Sequence, residues 1–172
     1  MLETTRLYLR KMTREDLPDL KEILQDRETM YAYEGPFSDE ETQAWLENQF
    51  KRYQEPGMGL MAVVLKETGE MVGQCGLTWQ NAGEQGTVME VGYLFKWKHW
   101  HHGYATEAAQ ACRDYAFDVL KAPRIYSIIR DTNIASQNVA RRNGMTITGQ
   151  LVKHYRGVTM PHLLFSVENP NL

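Results

Sequence analysis

The chain has 172 residues, 42% of them hydrophobic, and its 19 Lys and Arg against 22 Asp and Glu leave a formal charge of −3. That length suits one domain, 1–172, with a core of its own and no need of disulfide staples. Interspersed charges of slightly acidic balance argue against nucleic acid or an anionic membrane as partner, and no stretch reaches the roughly 18–20 apolar residues of a membrane span.

Residues 1–11 mix charged and apolar side chains and lack the apolar core of a secretory leader, so a cytoplasmic setting is expected. Within them Leu7 and Leu9 alternate with Arg6, Tyr8 and Arg10, as in a strand. Thr13 with Asp16 resembles a capping box, and Leu17, Leu20 and Leu24 give the following helix its buried stripe. Ser38 with Glu41 forms a second such box after Gly35-Pro36, and Trp45, Leu46 and Phe50 predict a helix over 40–53. Apolar runs over 60–65 and 71–79, separated by Glu67-Thr68-Gly69-Glu70, read as a hairpin.

The segment 87–95 alternates, with Met89, Val91, Tyr93 and Phe95 on one face and Val88, Glu90, Gly92 and Leu94 on the other. It is a strand with a carboxylate in its middle. Between 103 and 120 small or apolar residues, including Ala105, Ala108, Ala109, Cys112 and Ala116, recur at helical spacing and permit close packing on a sheet. A strand follows over 124–130, then a short helix capped by Asn133 and stopped at Gly144, then strands over 145–152 and 160–167 around an Arg156-Gly157 turn. The whole reads as an α/β (α+β) fold, a mixed sheet of about seven strands flanked by about four helices. Cys75 and Cys112, without CxxC spacing, read as reduced and buried, with a catalytic thiol the less favoured alternative.

A strand ending at Phe95, a polar loop and a helix starting near Gly103 form a phosphate-holding device, because free helix N–H groups and the positive end of the dipole favour an anion. Neither a Walker A pattern nor a GxGxxG after a strand is present, which argues against ATP and nicotinamide dinucleotides.

Two motifs in order then carry a family resemblance. Glu90-Val-Gly-Tyr-Leu with His102-Gly-Tyr-Ala-Thr-Glu-Ala108, followed by Asn133-Ile-Ala-Ser136 and Arg142-Asn-Gly-Met145, resembles the GNAT superfamily of N-acetyltransferases, in the branch of the ribosomal-protein N-terminal acetyltransferases. Tyr155-Arg156-Gly157 with Met160-Pro161-His162 is similar to that branch's last hairpin. The resemblance implies a mostly antiparallel sheet and acetyl-CoA as cosubstrate. It implies a pantetheine held along Tyr93, Leu94 and Phe95, a pyrophosphate wrapped by the amides of His101, His102, Gly103, Tyr104, Ala105 and Thr106, and cofactor contacts from Asn133 and Ser136. Asn133 also reads as a plain helix cap. His101 and His102 depart from the glycine and basic residue usual in that loop, and with His99 they raise a metal site that lacks a fourth ligand.

Amide formation from an amine needs a neutral nucleophile, oxyanion donors and a path for the proton. Glu90 is the candidate base, with a structural ion pair to a neighbouring Arg or Lys as the alternative. Ala140 stands where many relatives carry a tyrosine acid, so the resemblance moves that role to Ser136, whose plain reading is a local hydrogen-bonder. Tyr31, Tyr33 and Glu34, in an aromatic and partly acidic connection, are candidates for binding the acceptor amine, and His154, Tyr155 and His162 border the same region. The leading expectation is acetyl transfer to a protein N-terminal α-amine or a small primary amine. A polyamine or antibiotic acetyltransferase is an alternative, and so is a CoA-binding sensor without turnover. A nucleic-acid module rests only on Arg141-Arg142 and 153–156. Exposed strand edges make a homodimer an expectation too.

Overall fold

A computed structural model describes residues 1–56 and 58–172. Its strands are β1 (Leu2–Glu3), β2 (Leu7–Lys11), β3 (Leu60–Leu65), β4 (Met71–Asn81), β5 (Thr87–Phe95), β6 (Arg124–Arg130), β7 (Thr146–Tyr155) and β8 (Val158–Glu168). The helices are α1 (Leu17–Leu24), α2 (Asp39–Gln54), α3 (Tyr104–Asp118) and α4 (Ile134–Arg142). The strands form one sheet in the order β1-β2-β3-β4-β5-β6-β8-β7, antiparallel everywhere except between β5 and β6. The strand beyond the seven expected is β1, whose two residues pair with Tyr8 and Leu9; so short a segment has no periodicity to detect.

Helices cover both faces of the sheet, which is why residues 71–78 of β4 are buried without alternation. On one face Ala108, Ala109, Cys112 and Ala116 of α3 lie against Leu7, Leu9, Val63, Cys75, Val91 and Phe95. With side chains that small, the α3 backbone approaches the strands closely. On the opposite face α1 and α2 pack Leu20, Ile23, Leu24 and Leu46 onto Leu60, Ala62 and Met71. Cys75 and Cys112 are both fully buried and free, their Sγ atoms 3.8 Å apart.

The helix signals hold. Ser38 Oγ accepts the Glu41 N–H (3.1 Å) and the Glu41 carboxylate accepts the Ser38 N–H (2.9 Å), so both halves of that box form. At the first box the Asp16 carboxylate accepts the Thr13 N–H (2.8 Å), but the turn it opens is a 3-10 segment, Arg14–Asp16, that runs on into α1. The same carboxylate takes two hydrogen bonds from Arg10, which explains why Asp16 is buried. Gly144 stops α4 in the left-handed conformation (φ 81°), its N–H reaching Arg141 O while Met145 N–H reaches Ala140 O, the paired bonds of a Schellman motif. Among the described residues no helix is long and apolar enough to cross a membrane.

Candidate active site

The site follows from a defect in the sheet. β5 and β6 run parallel, yet they pair at one position, Glu90 with Tyr126, and then diverge. Beyond that point two side chains replace the ladder. Ser127 Oγ donates to Val91 O (2.8 Å), and Glu90 Oε2 accepts the Ile128 N–H (2.6 Å). On the other side β5 stays paired with β4, and Lys96 N–H donates to Val72 O. Antiparallel pairing alternates, so Glu90, Gly92 and Leu94 bond to β4 while the backbone groups of Val91, Tyr93 and Phe95 point into the opening. The Leu94 backbone therefore serves β4, and only its side chain reaches the site. The Phe95 carbonyl already accepts Trp100 Nε1 (2.8 Å).

Past Phe95 the chain turns sharply into α3, with His101 (φ 66°) and Gly103 (φ 79°) in the left-handed region. Gly103 suits that region at no steric cost, whereas His101 is an exposed non-glycine residue in a region that such residues adopt uncommonly. None of the amides of residues 101–106 donates to an acceptor among the described residues, and the first helical bond is Glu107 N–H to Gly103 O. His101, Gly103, Tyr104, Ala105 and Thr106 line a cavity of about 190 Å3 together with Tyr93, Leu94, Phe95, Asn133 and Ser136. A row of unpaired amides at a helix N-terminus beside an open strand edge fits a phosphate-bearing ligand with an extended arm.

The loop is tied down at both ends. Arg6 Nε donates to Glu107 Oε1 (2.7 Å), Arg6 Nη1 donates to His102 O (3.0 Å), and the guanidinium lies 4.6 Å from the centre of the Tyr104 ring. Glu107 also accepts from Thr4 Oγ1 and Arg6 N, and although burial pushes its carboxyl up, these bonds from Thr4 and Arg6 hold its pKa below the usual value. At the other end the buried Lys96 contacts Asp19 (2.8 Å), Glu22 (2.6 Å) and Glu70 (3.2 Å), and Glu70 also meets Lys98 and His99 at 3.1 Å each. The three loop histidines do not converge. His99 faces Glu70 and, like His101, borders the cavity, whereas His102 turns its Nδ1 to Trp100 O (2.8 Å), stacks on Tyr104 and does not line it.

A second cavity, of about 370 Å3, opens on the α2 side of the cleft and shares Tyr93, Leu94, Asn133 and Ser136 with the first. Glu90 lines it. Burial raises the Glu90 pKa to about 7, against the lowering effects of the Ile128 N–H and of the charges on Lys153 and Arg52. Glu90 makes no ion pair among the described residues, so the structural pairing open in the sequence is replaced by its bond to the Ile128 backbone.

Ser136 borders both cavities. Its N–H donates to Asn133 Oδ1 (3.2 Å), its carbonyl accepts the Tyr93 hydroxyl (2.8 Å), and its own hydroxyl has no partner among the described residues. Asn133 is thus a true helix cap, and its Oδ1 also accepts the Tyr31 hydroxyl (2.9 Å). Ala140 is buried in the core and borders neither cavity.

The expected acceptor residues separate. Tyr33 lines the second cavity within an aromatic cluster of Phe37, Trp45 and Tyr155, and burial raises its phenol to about 12. Tyr31 and Glu34 do not line it: Tyr31 is exposed and bound to Asn133, and Glu34 is paired with Arg130 (2.7 Å). His154, Tyr155 and His162 do reach it. Sequence reasoning missed Gln49, Arg52, Arg130 and Lys153. A signal existed for two of them, since Trp45, Gln49 and Arg52 recur at spacings of four and three along α2 and so share one helix face.

The acetyltransferase (GNAT) domain family matches residues 6–146, which include the strand, the loop and both helices of this cleft. The chain belongs to the GNAT acetyltransferase family. It is an N-acetyltransferase, and acetyl-CoA is the cosubstrate of that family. It is 38% identical over 145 residues to the uncharacterized protein YkkB of Bacillus subtilis (strain 168), covering 84% of each chain. Among solved structures it resembles an acetyltransferase from Agrobacterium tumefaciens str. C58, with a TM-score of 0.80, 29% identity, and 97% of this chain and 93% of that one covered. A putative ribosomal-protein-serine acetyltransferase from Vibrio cholerae shares the fold of this acetyltransferase, with a TM-score of 0.81, 21% identity, and 97% and 96% covered.

Proposed function

We propose that this acetyltransferase acts on a primary amine of modest basicity, such as an α-amine, with Glu90 as general base. When bound, the cosubstrate supplies the thioester carbonyl that the amine attacks. The open backbone edge at Tyr93 and Phe95 suits its pantetheine, and the amides of residues 101–106 suit its pyrophosphate. Asn133 and Ser136 border the junction of the two cavities, where the acyl group and the amine meet.

The observation that carries the reading is the place of Glu90: a half-buried carboxylate with a pKa near 7, on the wall of the acceptor cavity, held by the Ile128 N–H through one oxygen while the other has no partner among the described residues. Such a group is close to half ionised at neutral pH, the condition for an efficient base. An α-amine with a pKa of about 7.7–8.0 lies roughly one unit above it, a lysine amine at about 10.4 more than three units. The α-amine therefore asks far less of Glu90. The Ser136 hydroxyl, with no partner among the described residues and at the border of both cavities, is the donor we assign to the departing thiolate. The reduced pair Cys75 and Cys112 agrees with a cytoplasmic enzyme.

Thiol release from acetyl-CoA, measured with peptides that offer a free α-amine or only a lysine amine, tests this. Transfer to the α-amine with a kcat/KM limb near pH 7 is expected. Equal use of the lysine amine, or a profile without that limb, would remove Glu90 from the mechanism.

A further inference from the structure

The charges around the acceptor cavity are lopsided. Arg52 at the end of α2, Arg130 at the end of β6 and Lys153 on β7 border it, against the single carboxylate of Glu90. Arg130 is occupied, because it holds Glu34 (2.7 Å) and donates to Ala32 O (3.3 Å). Arg52 and Lys153 make no ion pair and no side-chain hydrogen bond among the described residues. Both act on the Glu90 carboxylate through space, so both lie within electrostatic reach of the base. Arg52 is half-buried, and desolvation lowers its pKa. A guanidinium partly withdrawn from water, with only the through-space charge of Glu90 and no ion-pair partner among the described residues, is an arrangement that an anion in the cavity would relieve.

The carboxylates that would welcome a polycation are turned elsewhere. Glu34 is bound by Arg130, Asp39 by Lys21 and Glu41 by Arg156, and none of the three lines the cavity. A volume of about 370 Å3 is at the lower end of small-molecule sites.

We infer that the acceptor is a small primary amine that also carries a carboxylate or a phosphate, and that Arg52 and Lys153 hold that anion while the amine faces Glu90. The inference rests on the reading of this cavity as the acceptor site and not on the basicity argued for Glu90, since an anion on a small amine makes that amine more basic than a peptide α-amine. It excludes polyamines and cationic antibiotics as preferred substrates, since these would bring positive charge against two uncompensated cations.

The test is calorimetric titration of the CoA-loaded protein with matched amines: leucine against leucinamide, and phosphoethanolamine against ethanolamine. Near pH 6 all four amines are protonated and the anion is the main difference within each pair, so the first pair reads a carboxylate and the second a phosphate. In at least one pair the anionic member is expected to bind about tenfold tighter or better, with that preference lost in the Arg52→Gln/Lys153→Gln variant while CoA affinity is retained. Each single variant is measured as well, so that a misfolded double variant does not decide the result.

Equal binding within both pairs, binding by none of the four, or an unaltered preference in the variants would overturn the inference. Because the readout is binding, it separates from the catalytic proposal: anion-selective binding without acetyl transfer sinks Glu90 as base and leaves the charge reading standing, whereas transfer to amines without any anion preference does the reverse.

Discussion

Glu90 Oε2 accepts the Ile128 N–H at 2.6 Å, across the gap where β5 and β6 cease to pair. One carboxylate thereby satisfies a backbone donor freed by the divergence and stands on the wall of the cleft that the divergence opens. The parallel ladder would have used that N–H, so strand separation and the environment of the proposed base are one feature.

Replacing this carboxylate tests both roles. Glu90→Gln keeps an oxygen for the Ile128 N–H, so the fold and CoA affinity should persist while kcat falls about 10²–10⁴-fold and the limb near pH 7 disappears. Stability should move the other way. A carboxyl whose folded pKa is raised to about 7 from an unfolded value near 4.5 binds more protons folded than unfolded between those values, so ionising it above pH 7 costs stability. The Gln variant should therefore be more stable than the parent at pH 8, by roughly 1–3 kcal/mol after allowance for cavity solvation, and equal to it near pH 4. Thermal melts at the two pH values check the sign.

Ser136 is tested by removing only its hydroxyl. Ser136→Ala retains the backbone N–H that Asn133 caps and the carbonyl that Tyr93 bonds, so the helix start should be undisturbed. Turnover should drop about 10- to 100-fold with little change in CoA affinity. Unchanged kcat would return Ser136 to a structural role.

Arg6→Ala should act on the cosubstrate. Arg6 bonds Glu107 in α3 and the His102 carbonyl in the loop, and it lies over Tyr104, so its loss frees the loop whose amides suit the pyrophosphate. KM for acetyl-CoA is expected to rise about tenfold, while stability falls by only about 1 kcal/mol because the ion pair is partly exposed. Steady-state kinetics at fixed amine and a denaturant melt separate the two effects.

The Lys96 cluster contributes to stability in a way that depends on acid pH. Burial pushes the Glu70 carboxyl up, but hydrogen bonds from His99, Lys98 and Lys96 outweigh it and hold the pKa at about 2. A depressed carboxylate stabilises the fold fully above its unfolded pKa near 4.5, and that contribution fades as pH falls toward 2. Glu70→Gln should thus lose about 1–2 kcal/mol at pH 7, discounted for solvent screening, and little near pH 2. A pH series of urea melts would show the two curves converging at low pH.

Most of the frame was legible before the structure. The strand 87–95 and the strand 124–130 fall where alternation and β-branched content put them, and the boxes at Thr13 and Ser38 mark the starts of helical segments. These signals work because each depends on neighbours within about four residues, where side-chain period and capping chemistry act. The loop before α3 was legible for the same reason, since Gly103 and the amides that follow it belong to one short segment.

Tertiary structure decided the rest. Glu34 reads as a cation-binding residue in its own segment, yet Arg130, distant in sequence, claims it; Glu90 reads as a strand carboxylate equally suited to pairing, yet the Ile128 amide on the neighbouring strand holds it. Arg6 and Glu107 are 101 residues apart, and nothing near either one announces the other. The periodicity of a chain records which faces are buried, because burial repeats along each element. Which charge meets which, and which is left free beside a cavity, depends on how separate elements are brought together, and that information exists only once they pack.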